Sequence, residues 1–115
     1  MLTPFIIDKA AILERLGGDE EIYAMMLEMF LNDVAGNSAA LRTAAASGQA
    51  AQLQREAHTL KGLLATFSDD AGSALAYALE QQARRGEVVD GEAQVTALLA
   101  RIDEVAAVLR QASGR

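Results

Sequence analysis

The residues of this chain that could do chemistry gather in one short stretch, Ala57-His58-Thr59-Leu60-Lys61-Gly62. It holds the only histidine of the 115 residues and a glycine inside what otherwise reads as a helix over 49–67. At about 100° per residue, Ala51, Gln54, Arg55, Lys61, Gly62 and Ala65 fall within roughly 60° of His58. Leu53, Leu60, Leu64 and Phe67 fall opposite, with Ala57 at the border. The apolar stripe therefore turns the imidazole toward solvent. Lys61 stands one turn away on the same face, where its charge can neutralise an anion held at His58. A glycine at position 62 costs about 1 kcal/mol against alanine in a helix interior. Beside the imidazole, its missing side chain admits another molecule's backbone or a phosphate. The chemistry implied is a reactive, phosphate-carrying histidine on a docking surface.

Each of these residues also has a plainer reading. A lone histidine in an alanine-rich helix is commonly a solvated surface residue, active only with partners. A helix glycine commonly serves close helix packing, but the angle of Gly62, near His58 and opposite Leu60, disfavours that. Met25, Met26 and Met29 could form an adaptable binding surface; the place of Met26 and Met29 on the apolar stripe makes core filling the expectation instead. Asp69-Asp70 lacks calcium-loop spacing and reads as a pair of helix-capping groups. Arg84-Arg85 reads as helix-end cations suited to the dipole. No serine–histidine–acid set, Gly-rich phosphate loop or spaced carboxylate pair is present.

The elements that must position His58 are helices. Ala, Leu, Glu, Gln and Arg fill most positions, and the single proline, Pro4, lies near the N-terminus. Residues 1–7 read as an irregular apolar segment. Asp8 caps a short helix to about Leu16, with Ala11, Ile12 and Leu16 inward, and Gly17-Gly18 ends it. Asp19 caps a second helix over about 20–46, with Ile22, Met26, Met29, Phe30, Val34 and Leu41 inward and a weak point at Gly36-Asn37. Ser47-Gly48 turns into the His58 helix. After Ser68-Asp69-Asp70, a helix over about 71–85 places Leu75, Ala78, Leu79 and Gln82 on one side, and Gly86 stops it. Asp90 caps the last helix, whose Val95, Leu98, Leu99, Ile102, Val105, Ala106 and Leu109 give the cleanest periodicity, fraying at Ser113-Gly114. The expected fold is all-α: an antiparallel up-down-up-down four-helix bundle with the short N-terminal helix as a lid. His58 lies ten residues before Ser68, so it should come level with residues 78–82 of the returning helix. There Tyr77, Gln81 and Arg84 point away from Leu75 and Leu79, and Gln81 is expected to flank the imidazole.

Bulk properties narrow the partners. A net charge of −6 argues against nucleic acid and against an anionic membrane surface. With no cysteine and one histidine, neither a disulfide framework nor a structural zinc site is expected. No apolar run reaches membrane-spanning length and no signal-peptide pattern is visible, so a cytoplasmic protein is the expectation.

His58-Thr59-Leu60-Lys61-Gly62 resembles the His-x-x-Lys-Gly motif of the histidine-containing phosphotransfer (HPt) domains of two-component phosphorelays. The resemblance extends upstream through Leu16-Gly17-Gly18-Asp19-Glu20-Glu21 and downstream through Ala78-Leu79-Glu80. It covers nearly the whole chain and marks 1–115 as one HPt domain. Leu63 stands where many members carry a small residue, and Ser68 where a glycine often ends this part of the motif. The resemblance implies that His58 receives a phosphoryl group from a receiver-domain aspartate and passes it to a second receiver. It also implies that Lys61 balances phosphohistidine charge, and that Gly62, with Gln54, Arg55, Ala65 and Gln81, belongs to the docking face. Mg²⁺ would come with the receiver, and the chain would need no cofactor of its own. It would act as a monomeric carrier without ATP-dependent kinase activity, its partners being receiver domains or a hybrid sensor kinase. Two other readings stand beside it. One is a helical interaction module that is never phosphorylated. The other is the phosphoacceptor domain of a chemotaxis-type or hybrid kinase, taken from a longer chain.

Overall fold

Five helices account for most of the computed structural model, which describes residues 2–114: α1 (Lys9–Arg15), α2 (Glu20–Ser47), α3 (Ala50–Thr66), α4 (Asp70–Arg85) and α5 (Gly91–Ala112). The described residues contain no strand. α3 packs most extensively on α4, and α2 on both α3 and α5, while α4 meets α5. The four long helices thus close into a ring of neighbours joined by short turns, an antiparallel bundle. Its long dimension, 41 Å, matches the 28 residues of α2 at about 1.5 Å each.

Local chemistry explains the boundaries. The carboxylates of Asp8, Asp19 and Asp69 each accept a backbone N–H in the first turn of the helix they precede. Gly48 and Gly86 end α2 and α4 in the left-handed region, at φ 69° and 68°, where a side chain would be strained. Asp90 departs from expectation. It holds the N-cap position of α5, but its φ of 50° turns its side chain out of capping geometry, and it makes no cap hydrogen bond. Gly36-Asn37 does not interrupt α2, which stays helical through both residues.

Two helix faces are turned from where the sequence pattern sets them. On α2 the buried residues are Tyr23, Leu27, Phe30, Leu31, Val34, Ser38, Leu41 and Ala44. Ile22 and Met29 are exposed with Met25, and only Met26 of the three methionines packs against the core. Met29 therefore does not fill the core: the helix meets α3 and α5 along the Tyr23–Leu27–Val34 line, and Met29 lies outside it. On α4 the buried residues are Gly72, Ala76, Leu79, Glu80 and Ala83. Ala78 is exposed and Gln82 half-buried. The inward face is thus turned by about 100°, one residue's rotation.

α3 buries Leu53, Ala57, Leu60 and Leu64, with Phe67 following, as its periodicity predicts. Phe67 meets Phe30 of α2 edge to face, with ring centroids 5.5 Å apart. Leu63 packs against the edge of the core. Ser68 adopts φ 64°, a backbone conformation that favours glycine. Arg15 of α1 fastens this turn by donating to the Ser68 hydroxyl at 2.8 Å and the Thr66 carbonyl at 2.7 Å. The short first helix thereby covers the α3–α4 end of the bundle. Met1, part of the expected irregular segment, lies outside the described residues.

Candidate functional site

The long α3–α4 contact sets the site. Ala57, Ala76 and Ala83 are buried in these two helices, and Gly72 joins them on α4. Such small residues let the two backbones approach, so a side chain from α4 can reach the outer face of α3. The Ser73 hydroxyl, which donates to the Lys61 carbonyl, adds a polar tie between them.

His58 presents its ring outward, with 66% of the side chain exposed. The group that reaches it is Glu80. The Glu80 Oε2 lies 2.7 Å from His58 Nδ1, and its Oε1 accepts from Lys61 Nζ at 2.7 Å. Glu80 itself is only 1% exposed. A carboxylate so withdrawn from water would ordinarily be pushed toward its neutral form. Here the Lys61 hydrogen bond outweighs burial, and with the His58 contact it holds the carboxyl below its ordinary value of 4.5. Glu80 is therefore ionised at neutral pH and can only accept hydrogen bonds. His58 Nδ1 must then be the donor. In its neutral form the ring is thereby held as the Nδ1–H tautomer, which leaves the Nε2 lone pair without a partner in the exposed ring.

Lys61 is fixed from two sides. Besides Glu80, its ammonium stands 5.2 Å from the centre of the exposed Tyr77 ring, within cation–π range. Arg84, one turn beyond Glu80, places Nη2 3.8 Å from Glu80 Oε2. Ala51, Gln54, Arg55, His58, Glu80 and Arg84 together line a shallow hollow of about 380 Å³ between α3 and α4. On the other side of His58 the surface is open. A Cβ built on Gly62 meets nothing within 4 Å, so this glycine is not required by helix packing. Ala65, one turn further, is exposed.

His58, Gln54 and Arg55 thus share a hollow; Lys61 joins His58 through Glu80, and Gly62 and Ala65 continue the exposed face of α3. Gln81 is the correction. It does not line the hollow, and the α4 side chain at the imidazole is its neighbour Glu80, because α4 is rotated by one residue from the face its leucines suggest. Arg84, read from sequence as a helix-end cation, stands at the site. Among the described residues, no group of three or more His, Cys, Asp or Glu is placed to hold a metal ion, and no helix is long and apolar enough to cross a membrane.

Comparison with known proteins bears on the fold and the family. The crystal structure of histidine-containing phosphotransfer protein B (HptB) from Pseudomonas aeruginosa PAO1 shares the fold, with a TM-score of 0.83 over 95% of each chain at 24% sequence identity. No curated protein sequence matches significantly. The model of the Hpt domain family matches residues 25–108, a span that contains His58, Glu80 and every residue of the hollow. The chain belongs to the Hpt domain family, the histidine phosphotransfer domains of phosphorelays.

Proposed function

We propose that His58 is the phosphoacceptor, taking a phosphoryl group from the aspartyl phosphate of one receiver domain and yielding it to the aspartate of another. The observation that carries this reading is the Lys61–Glu80–His58 chain, which leaves Nε2 as the free nucleophile of an exposed ring, on a helix face that Gly62 keeps open one turn further on. In the forward step the Nε2 lone pair forms the N–P bond. The P–O bond to the receiver aspartate breaks, and its electron pair stays on the aspartate oxygen. No proton has to leave. The ring retains its Nδ1 proton and gains positive charge, which the ionised Glu80 at 2.7 Å offsets. Phosphoryl transfer rests mainly on positioning and charge neutralisation, so a protein without ATP-binding machinery suffices as carrier.

Lys61 serves this step by keeping Glu80 ionised, and through Glu80 it sets the tautomer of His58. Gly62 and Ala65 give the receiver a flat approach, and Gln54 and Arg55 extend the docking face along α3. Mg²⁺ belongs to the receiver, and the chain needs no cofactor of its own. On this reading residues 1–115 act as a single monomeric, cytoplasmic domain whose partners are receivers, one of them supplied by a hybrid sensor kinase. The decisive experiment incubates the protein with phosphorylated receivers. Acid-labile, base-stable label should appear on the wild type and be abolished in His58→Gln, with helicity unchanged. Label that persists in the variant would exclude His58 as the acceptor.

A further inference from the structure

We infer that Arg84, with Arg55 across the same hollow, is the seat of the phosphoryl group once it rests on His58. This deepens the proposed function and depends on it for the phosphoryl group alone. Lys61 is the cation that sequence spacing offers for this role, but its ammonium is already committed. It lies 2.7 Å from Glu80 Oε1 and against the Tyr77 ring, and only 27% of its side chain is exposed. Leaving Glu80 would strand a buried carboxylate. Arg84 is in the opposite position. Its guanidinium is 57% exposed and stands 3.8 Å from Glu80 Oε2, beyond hydrogen-bond range, and that oxygen already accepts from His58. Arg84 therefore loses little by turning toward a new anion. Arg55 lines the same hollow and forms no ion pair among the described residues.

The charges fit the cargo. Lys61 and Arg84 pair with Glu80 and Arg55 lines the hollow with it, three cations to one carboxylate, a local excess of two positive charges in a chain of net charge −6. A phosphoryl group brings about −1.5 to −2 near pH 7. A guanidinium also presents paired N–H groups that match phosphoryl oxygens, which an ammonium does not. Gln54, lining the hollow as well, supplies a neutral amide donor.

The test loads the full chain chemically with phosphoramidate, which needs no receiver, and follows the phosphohistidine by ³¹P NMR titration. A guanidinium at the phosphoryl oxygens favours their dianion. The titration midpoint should therefore lie about one pH unit lower in the wild type than in Arg84→Ala, with Arg84→Lys between them. Arg85→Ala removes the neighbouring cation, which does not line the hollow, and should leave the midpoint where it is. Thermal melts of all variants should coincide, since both arginines are exposed. Equal midpoints for the wild type and Arg84→Ala would overturn the assignment, as would an equal displacement by Arg85→Ala. Loading by phosphoramidate but not by any phosphorylated receiver would remove the proposed relay function and leave the Arg84 site standing. A folded wild type that takes no phosphoryl group on His58 from either source would overturn both.

Discussion

Glu80 governs the site at the scale of single residues, although it is neither nucleophile nor ligand. A buried carboxylate is tolerable only with charge-assisted partners, and Lys61 is its strongest. Lys61→Ala should therefore cost about 1–3 kcal/mol at pH 7, the usual penalty for stripping a partner from a buried polar group. Chemical denaturation against pH checks the origin of this loss. Because the Glu80 carboxyl is held below 4.5 in the folded protein, its contribution to stability is fully present above that value. It disappears as pH falls through the lowered folded value, so wild type and Lys61→Ala should converge in acid. A gap that stays constant down to acid pH would show that Glu80 does not mediate the loss. Glu80→Gln tests the tautomer. A neutral amide can accept or donate at Nδ1, so ¹⁵N shifts of His58 should change from predominantly Nδ1–H toward a mixture, and transfer should slow by about 100-fold, the scale of losing one preorganised electrostatic contact. An unchanged ¹⁵N pattern would remove Glu80 from the tautomer argument.

At the scale of helices, two glycines make opposite demands. Gly62 on α3 has nothing within 4 Å of its notional Cβ. Gly62→Ala should keep or raise stability by up to about 1 kcal/mol, since alanine is the better helix former. Gly62→Gln should also fold, while blocking receiver approach and lowering transfer at unchanged melting temperature. Gly72 on α4 is different: a Cβ there would collide with the Asp69 carboxylate and come within 3.0 Å of Arg101 Cγ. Gly72→Ala should destabilise by about 1–3 kcal/mol in spite of its better helix propensity. Melts of the two alanine variants should therefore move in opposite directions. The same contrast shows what could be read in the sequence. α3 was legible because leucines mark one face and His58, Lys61 and Gly62 the other. α4 was not, because Ala71, Ala74, Ala76, Ala78 and Ala83 surround it with small apolar residues and leave Leu75 and Leu79 to suggest the inward side. A glutamate is almost never fully buried unless paired, so Glu80 reads as a solvated charge. The partners that reverse this reading, Lys61 and His58, lie 19 and 22 residues away on another helix. On α2, Ile22, Met25 and Met29 mimic an inward face because they are apolar, and only the packing of α3 and α5 shows that they lie outside.

At the scale of the molecule, a second buried ion pair stands apart from the site and holds the bundle's end together. Asp69 and Arg101 are 2% and 4% exposed, and Arg101 Nη2 lies 2.6 Å from Asp69 Oδ1. The pairing with Asp69 raises the Arg101 value, so the guanidinium stays charged. Arg101 also donates to the Thr3 carbonyl at 2.6 Å and pairs with Glu104, whose carboxylate accepts the Phe5 N–H at 2.7 Å. One cluster thus joins the N-terminal segment, the start of α4 and the middle of α5. Asp69 precedes Glu80 by 11 positions, about 16 Å along the helix, so the two ion-pair networks share no side chain. Arg101→Ala would strand the Asp69 carboxylate inside the bundle and should cost about 3–5 kcal/mol. Its effect on phosphoryl transfer should be confined to the fraction of unfolded molecules. Combining Arg101→Ala with Lys61→Ala should give a loss of stability equal to the sum of the single losses within about 0.5 kcal/mol, as expected for sites without common partners. Denaturant melts of the two single variants and the double variant measure that sum, and transfer assays below each melting transition measure the rest. A coupling well above 0.5 kcal/mol, or slow transfer by fully folded Arg101→Ala, would mean that the buried end of the bundle reaches His58 through α4 and that the two networks are one.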